Sequence, residues 1–326
     1  IDLSVLKQQL NVHFDFFKSN VNNLIISQEL PKTYGYTNYF DNGGKLEVTG
    51  LEISADSRLQ FSELIWTLGG SVSKELTKIK SLEFIDPNTT SIITTIDAAQ
   101  FITSEGNAIN AYYGYKTNGL ISGAEAGKIM GPNGVMMQEG DIKFVDNGDN
   151  IINESDKTII GDPNPELFGG IFTALAYKNF ELSAMFNYSV GNDVFNYVRY
   201  KTESMSEYAN QSTTVLDRWT PSNTTATLPR MAYGDPSGNT AFSDRWIEDG
   251  SYLRLGQLTL NYNLPPIQNF VKGVSIYLTA TNLFTLTKYS GYDPDFSYMN
   301  NPFYMGVDYG KMPQTQSFII GLKLDL

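Results

Sequence analysis

The amino-acid sequence predicts an all-β protein, and more specifically a transmembrane antiparallel β-barrel with long extracellular loops. Segments with alternating apolar and polar side chains recur along the chain, and the connections between them alternate between long and short. A strand that crosses a membrane needs about 9–11 residues, whereas an ordinary strand has about 5–6. Outer-membrane barrels have brief turns on one side and large loops on the other. A soluble β-sandwich would also show alternating strands, but nothing would sort its loops by length.

The clearest strand covers residues 274–287. Its even-numbered positions are apolar except for Asn282, and its odd-numbered positions carry hydroxyl groups except for Leu283. A period of two over this length indicates an extended strand with one apolar and one polar face. We expect the even-numbered residues to face lipid, and Thr279 and Thr281 to face the interior.

Seven further segments show the same alternation, which gives eight spanning strands in all. Near Gly50 and Gly256 the alternation of apolar and polar residues shifts by one position, which suggests a β-bulge at each glycine. Breaker residues predict a loop at 23–44. The seven segments lie at about 10–16, 45–57, 64–73, 168–178, 180–191, 251–265 and 316–326.

The long connections are expected at about 77–167, 192–250 and 288–315, which we assign to the extracellular side. The C terminus is then periplasmic. The strand-like segment at 109–121 is assigned to the first excursion, because counting it as a crossing would reverse the direction of every earlier strand. An open edge is not viable in lipid, so the first and last strands must pair with other strands or with each other.

The composition excludes several classes of function. The net charge is −12, with 23 Lys and Arg against 35 Asp and Glu, which argues against nucleic-acid binding. The absence of Cys excludes disulfides and thiolate chemistry. The sequence has no run of 18 apolar residues, which argues against a transmembrane helix, and its first residues show no charged n-region and apolar h-region of a signal peptide. We therefore expect a mature chain or the C-terminal piece of a longer one.

Three motifs carry a family resemblance: DKTIIGDPNPELFGG at 156–170, SYLRLGQLTLNYNLP at 251–265 and NLFTLTKYSGYDPD at 282–295. Together they resemble the C-terminal part of TonB-dependent outer-membrane transporters of the SusC/RagA type. The resemblance implies the last eight strands of a 22-stranded barrel, spanning residues 1–326, with the plug domain outside this chain.

The resemblance also implies a function and a set of partners. The protein would import a glycan or peptide nutrient across a bacterial outer membrane, surrounded by outer-membrane lipid. A SusD-like surface lipoprotein would act as a lid, and the TonB complex would supply energy through the plug. The alternatives are a passive porin, a structural surface barrel or an outer-membrane hydrolase. No catalytic constellation supports the hydrolase: His13 is the only His, and no G-x-S-x-G motif occurs.

A polar cluster at 146–156 resembles a calcium-binding loop, in which oxygen ligands recur at alternate positions. One residue is missing after Asp146 relative to the family's usual pattern, and Asn150 replaces the usual Gly. The alternative is a metal-free turn held by side-chain hydrogen bonds to the backbone. The candidate calcium ligands are Asp146, Asp149, Asn153 and Asp156.

Aromatic residues in the long loops are candidates for substrate binding, because aromatic rings stack on sugars or line peptide sites. The alternative is that they pack the loops against one another or form the interfacial aromatic girdle. The candidates are Trp219, Trp246, Tyr289, Tyr292, Phe296 and Tyr298.

Overall fold

The computed structural model describes residues 1–6, 9–29, 33, 35, 36, 38–84, 89–265, 273–295 and 305–325. Most of the regular structure in this part of the chain is β-strand, and no helix in it is long and apolar enough to span a membrane. The elements in chain order are β1 (Asp2–Val5), β2 (Leu10–Glu29), β3 (Asn38–Phe61), β4 (Leu64–Leu82), β5 (Ser91–Ile96), β6 (Ala99–Ser104), β7 (Ala111–Gly114), β8 (Thr117–Leu120), β9 (Ile142–Phe144), β10 (Thr158–Gly161), β11 (Leu167–Tyr177), β12 (Phe180–Val190), β13 (Asp193–Asn196), α1 (Tyr197–Glu203), β14 (Ile247–Asp249), β15 (Tyr252–Leu264), β16 (Gly273–Thr287), β17 (Val307–Asp308) and β18 (Ser317–Asp325). Short 3₁₀ helices occupy Glu154–Asp156, Thr213–Asp217 and Asp244–Trp246.

The main sheet contains nine strands in the described residues, in the order β1-β2-β3-β4-β11-β12-β15-β16-β18. All neighbours are antiparallel. Eight of these strands are the ones that the sequence predicts, and the short β1 is an addition. In the described residues β18 pairs with β16 alone, so the sheet does not close by pairing β18 with β2.

The two faces of the main sheet differ sharply in polarity. Directly paired residues share a face, so the register traces each face from strand to strand. One face carries an apolar band, and its large side chains are widely exposed, as for Leu278 at 45% and Ile320 at 80%. The apolar band includes Phe14, Phe16, Leu51, Ile53, Trp66, Leu68, Ile171, Leu175, Leu182, Phe186, Leu260, Ile276, Leu278, Ile320 and Leu322.

The opposite face is mostly polar. Its hydroxyl groups pair across strands, as where the Thr259 and Thr279 oxygens lie 3.0 Å apart. Three aromatic rings on this face lie over glycines of the neighbouring strand, and they fill the space that a glycine leaves. The three pairs are Phe17 over Gly50, Phe172 over Gly69 and Tyr277 over Gly321.

Two sequence predictions about strand shape are wrong. Most of the predicted loop at 23–44 is strand, because β2 extends to Glu29 and β3 begins at Asn38. No bulge occurs at Gly50, which pairs regularly with Phe17. The apolar phase slips there because β3 leaves the apolar band: beyond it, Leu46 on the other face packs against Ile26 and Ile79. The bulge predicted at Gly256 is confirmed, since the register shifts between Leu255 and Gln257.

The three long connections leave the same end of the main sheet and fold together. We call their described parts, in the ranges 83–166, 191–251 and 288–316, the loop assembly. It contains a four-stranded sheet (β10-β7-β6-β5), a three-stranded sheet (β14-β13-β17) and the pair β8-β9. The segment 109–121 lies in these small sheets, outside the main sheet as the sequence predicts.

Candidate functional site

The loop assembly is a packed layer with its own hydrophobic core. One buried cluster takes residues from all three connections, including Tyr112, Phe195 and Val307. The Tyr112 hydroxyl donates to the Gly306 carbonyl at 2.6 Å and accepts from the Phe195 amide at 3.2 Å. A parallel pairing between β13 and β17 joins the second and third connections. The connections therefore form one structural unit at the end of the sheet.

Arg254 fixes the start of the third connection to the main sheet. Its buried guanidinium binds Asp293 and lies 3.0 Å from the Asp295 carboxylate. The Asp293 carboxylate also accepts from the Gln314 amide at 3.0 Å, so it ties both ends of the connection together. These contacts give a structural reason for the acidic residues of the motif at 282–295.

A second ionic network centres on Glu248 of β14. Its carboxylate accepts from the Ser290 amide and hydroxyl, both at 2.9 Å, and from the Arg199 guanidinium at 3.1 Å. Arg199 also pairs with Glu203 at 3.0 Å. Burial, the largest single influence, raises the pKa of Glu248, but the bonds from Ser290 and Arg199 together outweigh it and leave the pKa lowered. Glu248 therefore stays ionised and links α1 to the third connection.

A third network surrounds the fully buried carboxylate of Asp141. It accepts from the Arg230 guanidinium at 2.6 Å, the Asn239 amide group at 2.9 Å and the Gln138 backbone amide at 2.7 Å. A buried charge is tolerated when it is paired and hydrogen-bonded in this way. The network holds the first connection against the second.

Three positions within four residues of the second connection carry polar atoms that are buried without a hydrogen-bond partner in the described residues. They are the Ser243 hydroxyl, both terminal nitrogens of Arg245 and the Trp246 indole nitrogen. The Arg245 guanidinium lies 4.2 Å from the centre of the Trp246 ring. Burial, with a contribution from Arg199, lowers the pKa of Arg245 to about 10. This cluster can donate hydrogen bonds to an acceptor from outside the described residues.

The structure does not bring the predicted substrate-binding aromatics together in one site. Trp246 is fully buried in the core cluster, and Tyr289 is buried with its hydroxyl 2.6 Å from Asp308. Trp219 is half-buried and packs on Gly140. Tyr292 is 86% exposed. Phe296 and Tyr298 lie outside the described residues. The burial of Trp246 and Tyr289 fits the loop-packing alternative, whereas Tyr292 is accessible to a ligand.

An exposed aromatic pair in the second connection was missed by the sequence analysis. Tyr208 is 92% exposed and Tyr233 67% exposed, and their ring centres are 4.6 Å apart. The Gly234 amide donates to the Ser206 carbonyl at 2.8 Å and holds the two segments side by side. The residues are 25 positions apart in the sequence, so no local pattern could pair them.

The predicted calcium loop is held largely by its own hydrogen bonds. Asp156 accepts from the Asn147 and Asn153 amides, both at 2.8 Å, and Asp146 accepts from the Asn150 amide at 2.9 Å. Asp149 accepts from the Ile151 amide at 2.9 Å, and the Asn153 side chain accepts from the Ser155 amide. These hydrogen bonds are the kind that the metal-free alternative predicts.

One oxygen of the loop departs from this pattern, because Asp146 Oδ1 is buried and has no hydrogen-bond partner among the residues that the structure describes. Within the described residues, no three Asp, Glu or His side chains converge to hold a metal ion. The donor set therefore does not fit calcium in this arrangement, and calcium binding by Asp146, Asp149, Asn153 and Asp156 stays a prediction.

Comparison with known proteins gives relatives along the whole chain, although no family model matches it. TonB-dependent receptor P3 of Formosa agariphila is 30% identical, over 99% of this chain and 33% of the receptor. TonB-dependent receptor SusC of Bacteroides thetaiotaomicron is 27% identical, over 99% of this chain and 31% of the receptor. The structure of the RagAB peptide transporter matches with a TM-score of 0.81 at 23% identity, over 99% of this chain and 34% of that chain.

The chain spans about a third of the length of the curated relatives that it matches. The motifs at 156–170, 251–265 and 282–295 thus lie in a stretch that aligns from one end to the other with such receptors. The all-β fold and the RagAB structural match agree with the sequence relatives. The chain is a homologue, over its whole length, of about one third of a TonB-dependent receptor of the SusC and RagA type.

Proposed function

We propose that this chain forms part of the barrel of a TonB-dependent importer that carries a nutrient across a bacterial outer membrane. The apolar band of the main sheet faces lipid, and the polar face lines the interior. The observation that carries this proposal is the apolar band itself. It continues through eight neighbouring strands, although exposed leucine, isoleucine and phenylalanine side chains in such numbers are costly in water.

The orientation follows from the two ends of the sheet. The loop assembly buries hydrophobic clusters and ion pairs as a water-exposed layer does, and we place it on the extracellular side. The opposite end carries the short turns at 62–63 and 178–179. Because β18 runs from the loop assembly towards these turns, the C terminus lies on the periplasmic side.

The proposed partners are inferred from the open edges of the main sheet and from the TonB-dependent receptors that the chain resembles. Within the described residues the outer edges of β1 and β18 have no partner strand, and they need further strands, since unsatisfied backbone groups are not viable in lipid. We assign those strands, and a plug that contacts TonB, to the two thirds of the relatives' length that this chain does not span. A SusD-like surface lipoprotein would cover the loop assembly as a lid.

The substrate class is a glycan or a peptide. RagAB is a peptide transporter by name. The exposed rings of Tyr208, Tyr233 and Tyr292 suit stacking on sugar rings as well as contacts with peptide side chains. The described loop assembly therefore offers aromatic contacts to either class. The proposed role is transport, with binding residues and no catalytic group.

Uptake measurements in cells that express the full-length protein test the proposal. Fluorescent oligosaccharides and oligopeptides are supplied, with and without an uncoupler of the proton-motive force. We expect uptake of one class that stops when the uncoupler is added, because TonB transmits that energy. Uptake that is indifferent to the uncoupler would instead identify a passive porin, and no gene-dependent uptake of either class would reject import.

A further inference from the structure

The outer face of β2, β3 and β4 changes from apolar to basic beyond the apolar band. The row of Phe16 and Leu51 already includes Lys74 on β4. The rows beyond it toward the loop assembly carry the other ammonium groups, with the exposed Leu76 between Lys74 and Lys78. Every lysine of these three strands faces outward, on the same side as the apolar band. We call this set the lysine ladder: Lys18, Lys45, Lys74, Lys78 and Lys80.

Charge is sorted by face in this part of the sheet. On the opposite, polar face the same three strands carry the acidic residues Asp15, Glu52, Asp56 and Glu75, with Arg58 and no lysine. This separation contrasts with the chain's net charge of −12. Arg58 on the polar face and Glu47 on the outer face depart from this sorting, and a solvated surface has no physical reason to place the remaining cations and anions on opposite faces.

The lysine ladder is only partly neutralised within the protein. Glu47 lies among the lysines on the outer face and binds Lys18 at 2.8 Å and Lys80 at 3.5 Å. In the described residues no carboxylate lies within 4 Å of the ammonium groups of Lys45, Lys74 or Lys78, and all three side chains are exposed. These three cations are available to an anionic ligand.

The position of the ladder identifies that ligand. Successive rows on one face of a strand are about 6.6 Å apart, so Lys18, one row beyond Phe16, sits where the hydrocarbon region ends. Basic side chains at this height attract anionic lipid headgroups. Resting on the proposed membrane role, we propose that the lysine ladder binds the phosphate groups of lipids in the outer leaflet, beside the exposed end of β2–β4.

Lipid binding to the purified full-length protein tests the inference. The protein is titrated in a neutral detergent with diphosphoryl lipid A, and with the same lipid after phosphatase treatment, and bound lipid is counted by native mass spectrometry. The test variant replaces Lys45, Lys74 and Lys78 by Gln. The control variant replaces three lysines of the loop assembly, Lys116, Lys128 and Lys201, by Gln, so that both variants lose the same charge.

We expect the test variant to bind diphosphoryl lipid A at least tenfold more weakly than the parent, because each lysine near an anionic surface contributes about fivefold. The control variant should bind like the parent, and the phosphatase-treated lipid should bind weakly to all three proteins. Equal binding by the two variants would overturn the inference, as would equal binding of the two lipids.

Folding and insertion are measured alongside. Resistance to unfolding in SDS should be the same for parent and variants, since the replaced side chains are exposed. Added salt should weaken lipid A binding by the parent more than by the test variant; the same salt dependence in both would count against the ladder. A parent protein that inserts into lipid but ignores phosphate rejects this inference alone, whereas one that does not insert rejects the proposed function as well.

Discussion

The main sheet and the loop assembly treat apolar side chains in opposite ways. On the main sheet Leu278 and Ile320 are exposed, whereas in the loop assembly Phe101, Phe195 and Trp246 are fully buried. In water, burying apolar surface is the dominant favourable contribution to folding, but an apolar side chain gains nothing by leaving lipid for a protein core. The contrast supports the proposed membrane role, in which one chain meets two solvents and the boundary lies near Lys74 of β4 and near the ends of β12 and β16.

Polar groups show the reverse contrast. The loop assembly buries charged groups in closed networks around Asp141, Glu248 and Arg254. Apart from the lysine ladder and Glu47, the main sheet places its charged and hydroxyl groups mainly on the polar face, and it satisfies its backbone through strand pairing. Damage to a charged network should therefore loosen the loop assembly and spare the sheet, while a charge on the apolar band should do the opposite.

The largest expected effect comes from the Asp141 network. Asp141→Ala leaves Arg230 without its buried partner, and breaking such a pair costs about 3–5 kcal/mol. We expect faster hydrogen exchange and proteolysis in residues 228–242, with no change in the resistance of the sheet to heating in SDS. Glu63→Ala removes an exposed partner of Lys178, and should cost about 0–1 kcal/mol. Loss of the sheet in Asp141→Ala would show that the two regions are not separable.

A pair of adjacent substitutions in β16 probes the sheet. Leu278→Arg places a charge on the apolar band and should cost about 2–4 kcal/mol near the bilayer midplane. Thr279→Arg places the same charge on the polar face, where the Thr279 hydroxyl now meets Thr259, and should be tolerated much better. The measurement is the fraction of protein that assembles in the outer membrane. An equal loss of assembled protein in both variants would contradict the assignment of one face to lipid and the other to the interior.

A smaller effect is expected at the exposed aromatic pair. Tyr208→Ala removes a ring that contacts Tyr233 and should weaken substrate binding by about 0.5–1.5 kcal/mol, the range for one aromatic contact. Tyr208→Phe keeps the ring and should bind like the parent. Titration calorimetry of the full-length protein with the imported glycan or peptide gives both values. An unchanged affinity in Tyr208→Ala would assign the pair to another surface role.

The smallest effect is expected from calcium removal. Because the carboxylates of residues 146–156 already accept backbone amides, EDTA should leave the protease resistance of residues 141–160 unchanged. Asp156→Ala removes the acceptor of two amides and should lower that resistance. A loss of resistance on adding EDTA that calcium restores would contradict this expectation and support Asp146, Asp149, Asn153 and Asp156 as ligands.

The sequence predicts the main sheet well because period-two alternation reports directly on a two-faced strand. The same rule fails at Gly50 and at 23–44, where β2 and β3 continue beyond the apolar band. There the inner face packs under the loop assembly, so the apolar positions change face at Gly50 with no bulge at that residue. Period-two alternation is interpreted as if the apolar side always faces lipid, and it does not indicate where a strand continues out of the lipid region.

The candidate site was less accessible to sequence reasoning. Its networks join residues that are distant in the chain, such as Asp141 with Arg230, and no local spacing pairs them. Aromatic content alone also does not separate the buried Trp246 from the exposed Tyr292. The lysine ladder is different, because the alternation that gives the strand faces also places its lysines on one side once the register is known.

A nitroxide scan along β16 tests whether one face of the main sheet is in contact with lipid. These 326 residues have no Cys, so single cysteines can be placed at each position from 274 to 281 and spin-labelled in lipid bilayers, with any cysteine in the rest of the full-length protein replaced by Ser. Contact with oxygen, which concentrates in lipid, and with a water-soluble nickel complex is then measured at each position. We expect these accessibilities to alternate with a period of two, with the even-numbered positions accessible to oxygen and the odd-numbered positions accessible to nickel. Nickel access at every position, with no alternation, would contradict a sheet that faces lipid on one side.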